Sequence, residues 1–197
     1  MPIAPARMAA DATRLALVVF NARRLYVVAA TGANSPRPGM KLYFLRHAEA
    51  LDGEDDAARP LSPHGREQSA AMAKFLSNAG VKFSAAYTSP LVRAHQTAEV
   101  ALRTMGLAGD VKLQTAKELL NETTVAQWTR WLKALPESKH VLLVGHAPSL
   151  SDRVRALLRV VDANALDLPK GALACVGTDE RISGTLKYLI TPRSLGL

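Results

Sequence analysis

Two uninterrupted apolar runs stand out in the pattern of hydrophobic and polar positions, at residues 42–45 and 141–144. Runs of this length without alternating polar positions are typical of strands that are buried on both faces, as in a parallel sheet. Each run leads into a pair that contains a histidine, Arg46-His47 and Gly145-His146. Because open α/β sheets carry their chemistry at the C-terminal ends of the strands, the pattern directs attention to these two pairs.

Apolar residues at helical spacing follow the first predicted strands. Ser62-Pro63 supplies an N-cap and a proline at the first helical position, and Gly80 marks the end of that helix. After a strand near residues 84–88, the same pattern at Thr88-Ser89-Pro90 predicts a second helix that ends near Met105.

Two more helices are predicted in the second half of the chain. Thr124 and Gln127 have the spacing of a capping box, and the helix that they open is followed by Pro136. Its buried stripe is predicted to comprise Val125, Trp128, Leu132 and Leu135. The last helix is predicted to bury Leu150, Val154, Leu157 and Leu158. Further strands are predicted near residues 111–113, 172–177 and 185–190.

The alternation of strands and helices predicts an α/β fold. Helices on both faces of the sheet would give a three-layer α/β/α sandwich with a mainly parallel sheet. Glycines 177 and 184 lie between the last two strands, which are therefore predicted to form a hairpin. One edge strand should consequently be antiparallel.

The first 39 residues differ from the rest. They end in a stretch of turn residues, 32–39, and Met40 stands directly before the first core strand. One hypothesis is that Met40 is the natural start and residues 1–39 are a mis-called extension. The alternative is a weakly ordered N-terminal arm with a short helix near residues 9–29. In both cases the domain that carries the function is expected at residues 40–197.

Composition narrows the class of protein. The single cysteine excludes a disulfide framework and a cysteine-type zinc site, and it fits the cytoplasm. Five arginines and one aspartate in the first 39 residues supply half of the net charge of +8. The remaining excess can attract an anionic substrate but is too scattered to favour nucleic acid. No apolar run approaches the length of a membrane span, and the sequence gives no signal about the oligomeric state.

Basic and imidazole side chains are predicted to converge at one edge of the sheet. Arg46-His47 and Gly145-His146 follow two strands, and the segment 88–98, which contains Arg93, follows a third. Arginine binds phosphoryl oxygens through a planar fork of donors, and a neutral imidazole nitrogen can attack phosphorus. Nearby guanidinium charge keeps an imidazole neutral by lowering its pKa. No spacing among the five histidines suggests a metal site.

Four sequence fragments carry a resemblance to a known family. They are Arg46-His47-Ala48-Glu49-Ala50, Arg59-Pro60-Leu61-Ser62, the segment from Ser89 to Thr97, and the apolar strand that ends in His146. In this order they resemble the histidine phosphatase superfamily, which has a phosphoglycerate mutase-like fold, and the short bacterial phosphohistidine phosphatases most of all. The resemblance covers nearly all of residues 40–190. Ala48 is a departure, since many members of the superfamily have glycine there.

The resemblance implies roles for particular residues. His47 would be the nucleophile that accepts the phosphoryl group, and Arg46 and Arg93 would bind the phosphoryl oxygens. His146 would hydrogen-bond the phosphoryl group and stabilise the transition state. The family needs no cofactor and no metal for this chemistry.

The proton donor is left open by the resemblance. Glu122 is the closest match to the glutamate that protonates the leaving group in phosphoglycerate mutase-like members, and Glu118 is second. The short phosphohistidine phosphatases often lack such an acid. Glu122 could equally be a surface charge near the start of a helix.

The expected activity is therefore a metal-independent phosphatase that works through a phosphohistidine intermediate. Its preferred substrate is a phosphohistidine on a partner protein, because the loops that could cover the site are short. A phosphatase of small metabolites, such as a sugar phosphate or a nucleotide, is the alternative. A non-catalytic module that binds phosphoproteins is a third hypothesis, against which the intact set of Arg46, His47, Arg93 and His146 argues.

Overall fold

The computed structural model describes residues 39–179 and 183–197 in full and the backbone of residues 16–21 and 24–29. Strands β1 (Ala16–Asn21) and β2 (Arg24–Ala29) pair antiparallel as a separate two-stranded sheet. The short helix predicted near residues 9–29 is therefore wrong over these two stretches, and its remainder lies outside the described residues. Both stretches are rich in β-branched and aromatic residues, which favour strands. The division between residues 1–39 and 40–197 stays a prediction.

Six strands form the main sheet. They are β3 (Lys41–Arg46), β4 (Ala85–Thr88), β5 (Leu113–Thr115), β6 (His140–Gly145), β7 (Leu173–Asp179) and β8 (Ser183–Ile190). Their spatial order is β5-β4-β6-β3-β7-β8. The first four pair in parallel, whereas β7 runs antiparallel to β3 and to β8. The predicted hairpin is confirmed, and its outer strand β8 forms one edge of the sheet.

Four helices cover the two faces of this sheet. They are α1 (Pro63–Asn78), α2 (Val92–Thr104), α3 (Val125–Ala134) and α4 (Ser149–Leu158). Along β3 the side chains alternate between faces. Leu42 and Phe44 pack with α3 and α4, whereas Tyr43 and Leu45 pack with α1 and α2. The predicted three-layer α/β/α sandwich is confirmed.

Both ends of α1 and the start of α3 agree with the sequence patterns, whereas the start of α2 does not. Ser62 Oγ accepts a hydrogen bond from the backbone N of Gly65 at 2.9 Å. Gly80, beyond the end of α1, has a φ of +71°. Thr124 and Gln127 form the predicted capping box of α3. Val125, however, is the first residue of α3 and is exposed, whereas Trp128 and Leu132 on the same face are buried.

The predicted cap of α2 is wrong. The helix begins at Val92, after Leu91, and no side chain caps it. The hydroxyl of Ser89 lies instead beside His146, as described below. The Ser89 hydroxyl also accepts a hydrogen bond from the backbone N of Leu91 at 3.3 Å, which lies before the helix, so its shorter bond is the one at the site.

Candidate active site

The C-terminal ends of β3, β4 and β6 lie side by side. Arg46 is in register with Gly145, and Thr88 is in register with Val144. His47, Ser89 and His146 directly follow these strands, so the sheet itself brings them together. The backbone N of His47 also donates to the carbonyl of Gly145 at 2.9 Å. The predicted convergence of the strand ends is thus what the structure shows.

The His47 imidazole is held in one tautomer. Its Nδ1 lies 2.8 Å from the carbonyl oxygen of Ala48, which can only accept, so Nδ1 carries the proton and Nε2 carries a lone pair. The pKa of His47 is lowered to about 4, chiefly by burial; the hydrogen bond to Ala48 opposes this shift, and the charges of Arg93, Arg46 and Lys170 add to it. At neutral pH the ring is therefore neutral, which is the form that can act as a nucleophile.

His146 faces His47 across the site. The two ring centroids are 5.0 Å apart, and the rings are inclined by 50°. Nε2 of His146 and Oγ of Ser89 are hydrogen-bonded at 2.8 Å. Nδ1 of His146 is buried and has no partner among the described residues. Burial lowers the pKa of His146 to about 3, with smaller contributions from His47 and Arg93, so this ring is neutral as well.

Arg46 is anchored to the loop that precedes β7. Its Nη1 donates to the carbonyl of Leu168 at 2.7 Å. Its Nε is buried and lacks a partner in the described part of the chain. Burial lowers the pKa of Arg46, opposed by the charge of Asp167. A guanidinium with a free buried donor is suited to bind an anionic oxygen.

Arg93 is buried and bound to Asp56, a residue that no sequence motif indicates. Its Nη2 lies 2.9 Å from Oδ2 of Asp56, and its Nη1 donates to the backbone carbonyl of Asp56. Asp56 begins a short 3-10 turn, Asp56–Ala58, in the acidic loop between β3 and α1. Its side chain is 65% exposed. The only sequence feature that could have indicated Asp56 is its position three residues before Arg59, the first residue of one of the four family fragments.

Glu122 and Glu118 line cavities beside α3 and are not bonded to this cluster. Glu122 is exposed and lines an open cavity of about 540 Å³ between α3 and the segment before it. Glu118 lines this cavity and an adjacent one of about 430 Å³. Among the described residues, neither carboxylate has a hydrogen bond or ion pair to the two arginines or the two histidines. The acid role of Glu122 stays a prediction.

Two further cations near the histidines were missed. Lys170 is exposed on the loop before β7, which is tied to the site because the backbone N of Gly171 donates to the carbonyl of His47 at 3.1 Å. Arg153 on α4 is fully buried and donates to the carbonyl of Leu120 at 2.8 Å. The sequence does not indicate that Arg153 is buried, since charged helix residues normally face solvent.

Hydrogen bonds join the sequence fragments that carry the family resemblance. The backbone N of Ala48 donates to Thr97 Oγ1 at 3.1 Å, and Ser62 Oγ donates to the Glu49 carboxylate at 2.6 Å. Leu61 N donates to Gln96 Oε1 at 2.8 Å. These bonds fix the loop after β3, so fragments that are distant in the sequence form one support for His47.

The described ranges hold neither a metal-binding cluster nor a membrane-spanning helix. No group of three or more histidine, cysteine, aspartate or glutamate side chains in them is arranged to hold a metal ion. No helix among the described residues combines the length and apolar character that crossing a membrane requires. Metal independence itself stays a prediction.

Known proteins are similar to the chain in sequence and in fold. A sequence model of the histidine phosphatase superfamily (branch 1) matches residues 42–131. Phosphohistidine phosphatase SixA of Escherichia coli (strain K12) is 30% identical over 164 residues, which are 79% of this chain and 96% of that protein. An uncharacterised protein of Picosynechococcus is 35% identical over 138 residues, which are 68% of this chain and 82% of its own length.

A solved structure of the protein histidine phosphatase SixA with tungstate superposes with a TM-score of 0.69 at 28% identity. It covers 79% of this chain and 99% of its own. The α-ribazole phosphatase of Shigella flexneri superposes with a TM-score of 0.64 at 18% identity, over 78% of this chain and 97% of its own, and shares the fold.

Proposed function

Because the chain belongs to the histidine phosphatase superfamily, we propose that it is a metal-independent phosphatase that removes the phosphoryl group from a phosphohistidine on a partner protein. The reaction passes through a covalent phosphoryl intermediate on His47. The observation that carries this proposal is the hydrogen bond from His47 Nδ1 to the Ala48 carbonyl, 2.8 Å long. It leaves the Nε2 lone pair of a buried, neutral ring available for attack.

In the first step Nε2 of His47 forms a bond to phosphorus while the bond between phosphorus and the leaving group breaks. Arg46 and Arg93 bind the equatorial oxygens, and His146 stabilises the charge that develops on them. In the second step water attacks phosphorus, the bond to Nε2 breaks, and the products are inorganic phosphate and neutral His47. The buried Arg93, the half-buried Arg46 and two neutral histidines supply the positioning and the charge stabilisation that this transfer needs.

Two observations support a phosphohistidine substrate. The relative from Escherichia coli, which is matched over 96% of its length, is a phosphohistidine phosphatase. In addition, neither Glu122 nor Glu118 has a hydrogen bond or ion pair to the described histidines and arginines of the site. A neutral imidazole departs more readily than an alkoxide, so a phosphohistidine can be cleaved without a strong general acid. We also propose a cytoplasmic setting, which the single cysteine of the chain fits.

A phosphatase of small metabolites is the second candidate. Lys170 is exposed beside the site and offers an ammonium group to a second anionic group of a small substrate. A structural relative, the α-ribazole phosphatase of Shigella flexneri, bears the name of a phosphatase with a small substrate. A non-catalytic phosphoprotein-binding module is the least favoured candidate, since it has no need of a nucleophile in one fixed tautomer.

The proposal is tested by comparing hydrolysis of a phosphohistidine protein with hydrolysis of p-nitrophenyl phosphate and a panel of sugar phosphates and nucleotides. We expect the highest kcat/KM for the phosphohistidine protein and full activity in the presence of EDTA. His47→Ala should abolish all activity, whereas His95→Ala should retain it, because His95 lies at the surface and pairs with Glu99. Preference for a metabolite would favour the second candidate, and inactivation by EDTA would contradict metal independence.

A further inference from the structure

The acidic loop between β3 and α1 places a carboxylate at the mouth of the phosphoryl site. Asp56 Oδ2 lies 2.9 Å from Nη2 of Arg93, an arginine that binds phosphoryl oxygens in the proposed mechanism. The backbone carbonyl of Asp56 accepts from the other terminal nitrogen of Arg93. In the structure, the carboxylate and the carbonyl of Asp56 thus take the two terminal donors that an incoming phosphoryl group would use.

A second arginine holds the same carboxylate from the solvent side. Arg59 Nη1 donates to Asp56 Oδ1 at 3.0 Å, and Arg59 is itself fixed by Asp52 at 3.0 Å and by the Leu51 carbonyl at 2.7 Å. When a phosphoryl group displaces Asp56 from Arg93, the bond to Arg59 can therefore keep the carboxylate at the mouth. The displaced carboxylate then lies beside the bound substrate.

This carboxylate is unsuited to donate a proton. Hydrogen bonds from Arg93 and then Arg59 lower the pKa of Asp56, so it is ionised at neutral pH. A carboxylate beside the leaving group repels a leaving group that becomes negatively charged as it departs. It attracts, and so favours cleavage of, a leaving group that is protonated and positively charged before it departs.

A phosphohistidine is a substrate of the second kind. The ring nitrogen that does not carry phosphorus can be protonated, and a nearby carboxylate raises the pKa of an imidazole. A phosphate monoester has no such nitrogen, and its leaving oxygen becomes negative as the bond to phosphorus breaks.

We propose that Asp56 is a specificity-determining residue, whose carboxylate accepts a hydrogen bond from the protonated ring of a phosphohistidine substrate and so selects phosphoramidates over phosphate monoesters. The inference rests on the proposed function and names the group that gives that site its substrate class. It differs from the general-acid role considered for Glu122, because Asp56 accepts a hydrogen bond and gives up no proton.

The transfer step balances without an external acid. The Nε2 lone pair of His47 forms the new bond to phosphorus, and the P–N bond of the substrate breaks. Its electron pair stays on the departing nitrogen. The ring leaves as neutral imidazole because its other nitrogen already carries a proton, which remains hydrogen-bonded to Asp56.

The test compares two substrates in three variants of the full chain. The substrates are a phosphohistidine peptide and p-nitrophenyl phosphate, whose leaving group departs as an anion. Asp56→Asn removes the charge, and Asp56→Glu keeps it. Asp52→Asn is the matched control, because Asp52 also pairs with Arg59 but is fully exposed and has no bond to Arg93.

For Asp56→Asn we expect kcat/KM on the phosphohistidine peptide to fall about tenfold or more, as for the loss of one charge-assisted hydrogen bond. On p-nitrophenyl phosphate kcat/KM should rise severalfold, mainly through a lower KM, because Arg93 no longer has an ion pair with the carboxylate of Asp56. Asp56→Glu should keep most of the wild-type preference, and Asp52→Asn should match the wild type on both substrates.

Different results overturn different claims. If Asp56→Asn changes kcat/KM by the same factor on both substrates, or on neither, Asp56 does not determine specificity. The proposed function is unaffected by that result. A wild-type enzyme that hydrolyses p-nitrophenyl phosphate but not the phosphohistidine peptide overturns the proposed function and the inference together. Circular dichroism of each variant establishes that the comparison is made between folded proteins.

Discussion

Ser89 and His146 are joined by a hydrogen bond of 2.8 Å between Ser89 Oγ and Nε2 of the ring, across 57 positions of sequence. Both side chains are buried, and each residue follows one of two neighbouring parallel strands, β4 and β6. The bond fixes the ring of His146 at its place opposite His47. Ser89 is therefore a positioning residue for the ring that, in the proposed mechanism, stabilises the transferred phosphoryl group.

We predict that Ser89→Ala lowers kcat about tenfold with little change in KM, because one hydrogen bond that orients His146 is lost. Steady-state kinetics on p-nitrophenyl phosphate measures both constants. Ser84→Ala is the control, since Ser84 bonds the backbone of His140 at the other end of β6. An equal loss of activity in both serine variants would mean that Ser89 contributes only to the general stability of the sheet.

Burial of two neutral histidines predicts how stability depends on pH. The pKa of His47 is lowered to about 4 and that of His146 to about 3, whereas both rings would protonate near 6.5 in the unfolded chain. Between these values the unfolded state binds more protons, so the free energy of unfolding must fall as the pH falls from about 6.5 toward 4. For His47 alone the lowering corresponds to on the order of 3 kcal/mol over the whole window.

His47→Gln should therefore flatten the dependence of the free energy of unfolding on pH between 6.5 and 4.5. Urea denaturation at a series of pH values measures it. His95→Gln, at the surface, should leave the slope as in the wild type. A slope that is unchanged by His47→Gln would show that His47 is protonated in the folded protein at these pH values.

Lys170 is predicted to assist binding of anionic substrates. Its charge acts on the same site as Arg46 and Arg93, but it is exposed and therefore screened by salt. Lys170→Ala should raise KM severalfold at low ionic strength and have a smaller effect at about 0.5 M salt. Lys139→Ala is the matched control, because Lys139 is exposed directly before β6, at the end of that strand remote from the site. A salt-independent loss in kcat would contradict this electrostatic role.

Gly65 is predicted to accept no side chain. A Cβ at this position would lie 1.9 Å from the backbone oxygen of Glu49, in the loop that supports His47. Gly65→Ala should therefore cost about 2–3 kcal/mol of unfolding free energy and lower activity, since the loop after β3 must shift. Gly109→Ala serves as the control, because nothing lies within 4 Å of its Cβ position. A Gly65→Ala variant as stable and active as Gly109→Ala would show that this contact can relax freely.

The sequence predicts the frame of the site better than its surroundings. Continuous apolar runs identify β3 and β6 because strands buried on both faces need no polar positions. The motifs that follow them identify the two arginines and two histidines that the structure brings together. The antiparallel pair of β1 and β2 lies where the sequence predicts part of a helix, since short apolar runs fit either period.

The missed residues have contacts that local patterns do not encode. Asp56 lies in an acidic loop that resembles a solvated surface, and its pairing with Arg93 spans 37 positions. Ser89 has the sequence context of a helix cap, but its hydroxyl bonds a histidine from another strand. Arg153 is buried although charged helix residues normally face water. Such roles depend on tertiary packing and become visible only in three dimensions.

The central claim is that His47 carries the phosphoryl group during the reaction. It is tested most directly by quenching the enzyme during turnover of a phosphohistidine peptide and locating the bound phosphate by mass spectrometry under alkaline conditions. The account predicts an acid-labile phosphoryl group on His47 in the wild type, its accumulation in His146→Ala if hydrolysis slows more than transfer, and none in His47→Ala. A phosphoryl group on another residue, or turnover by His47→Ala, would contradict it.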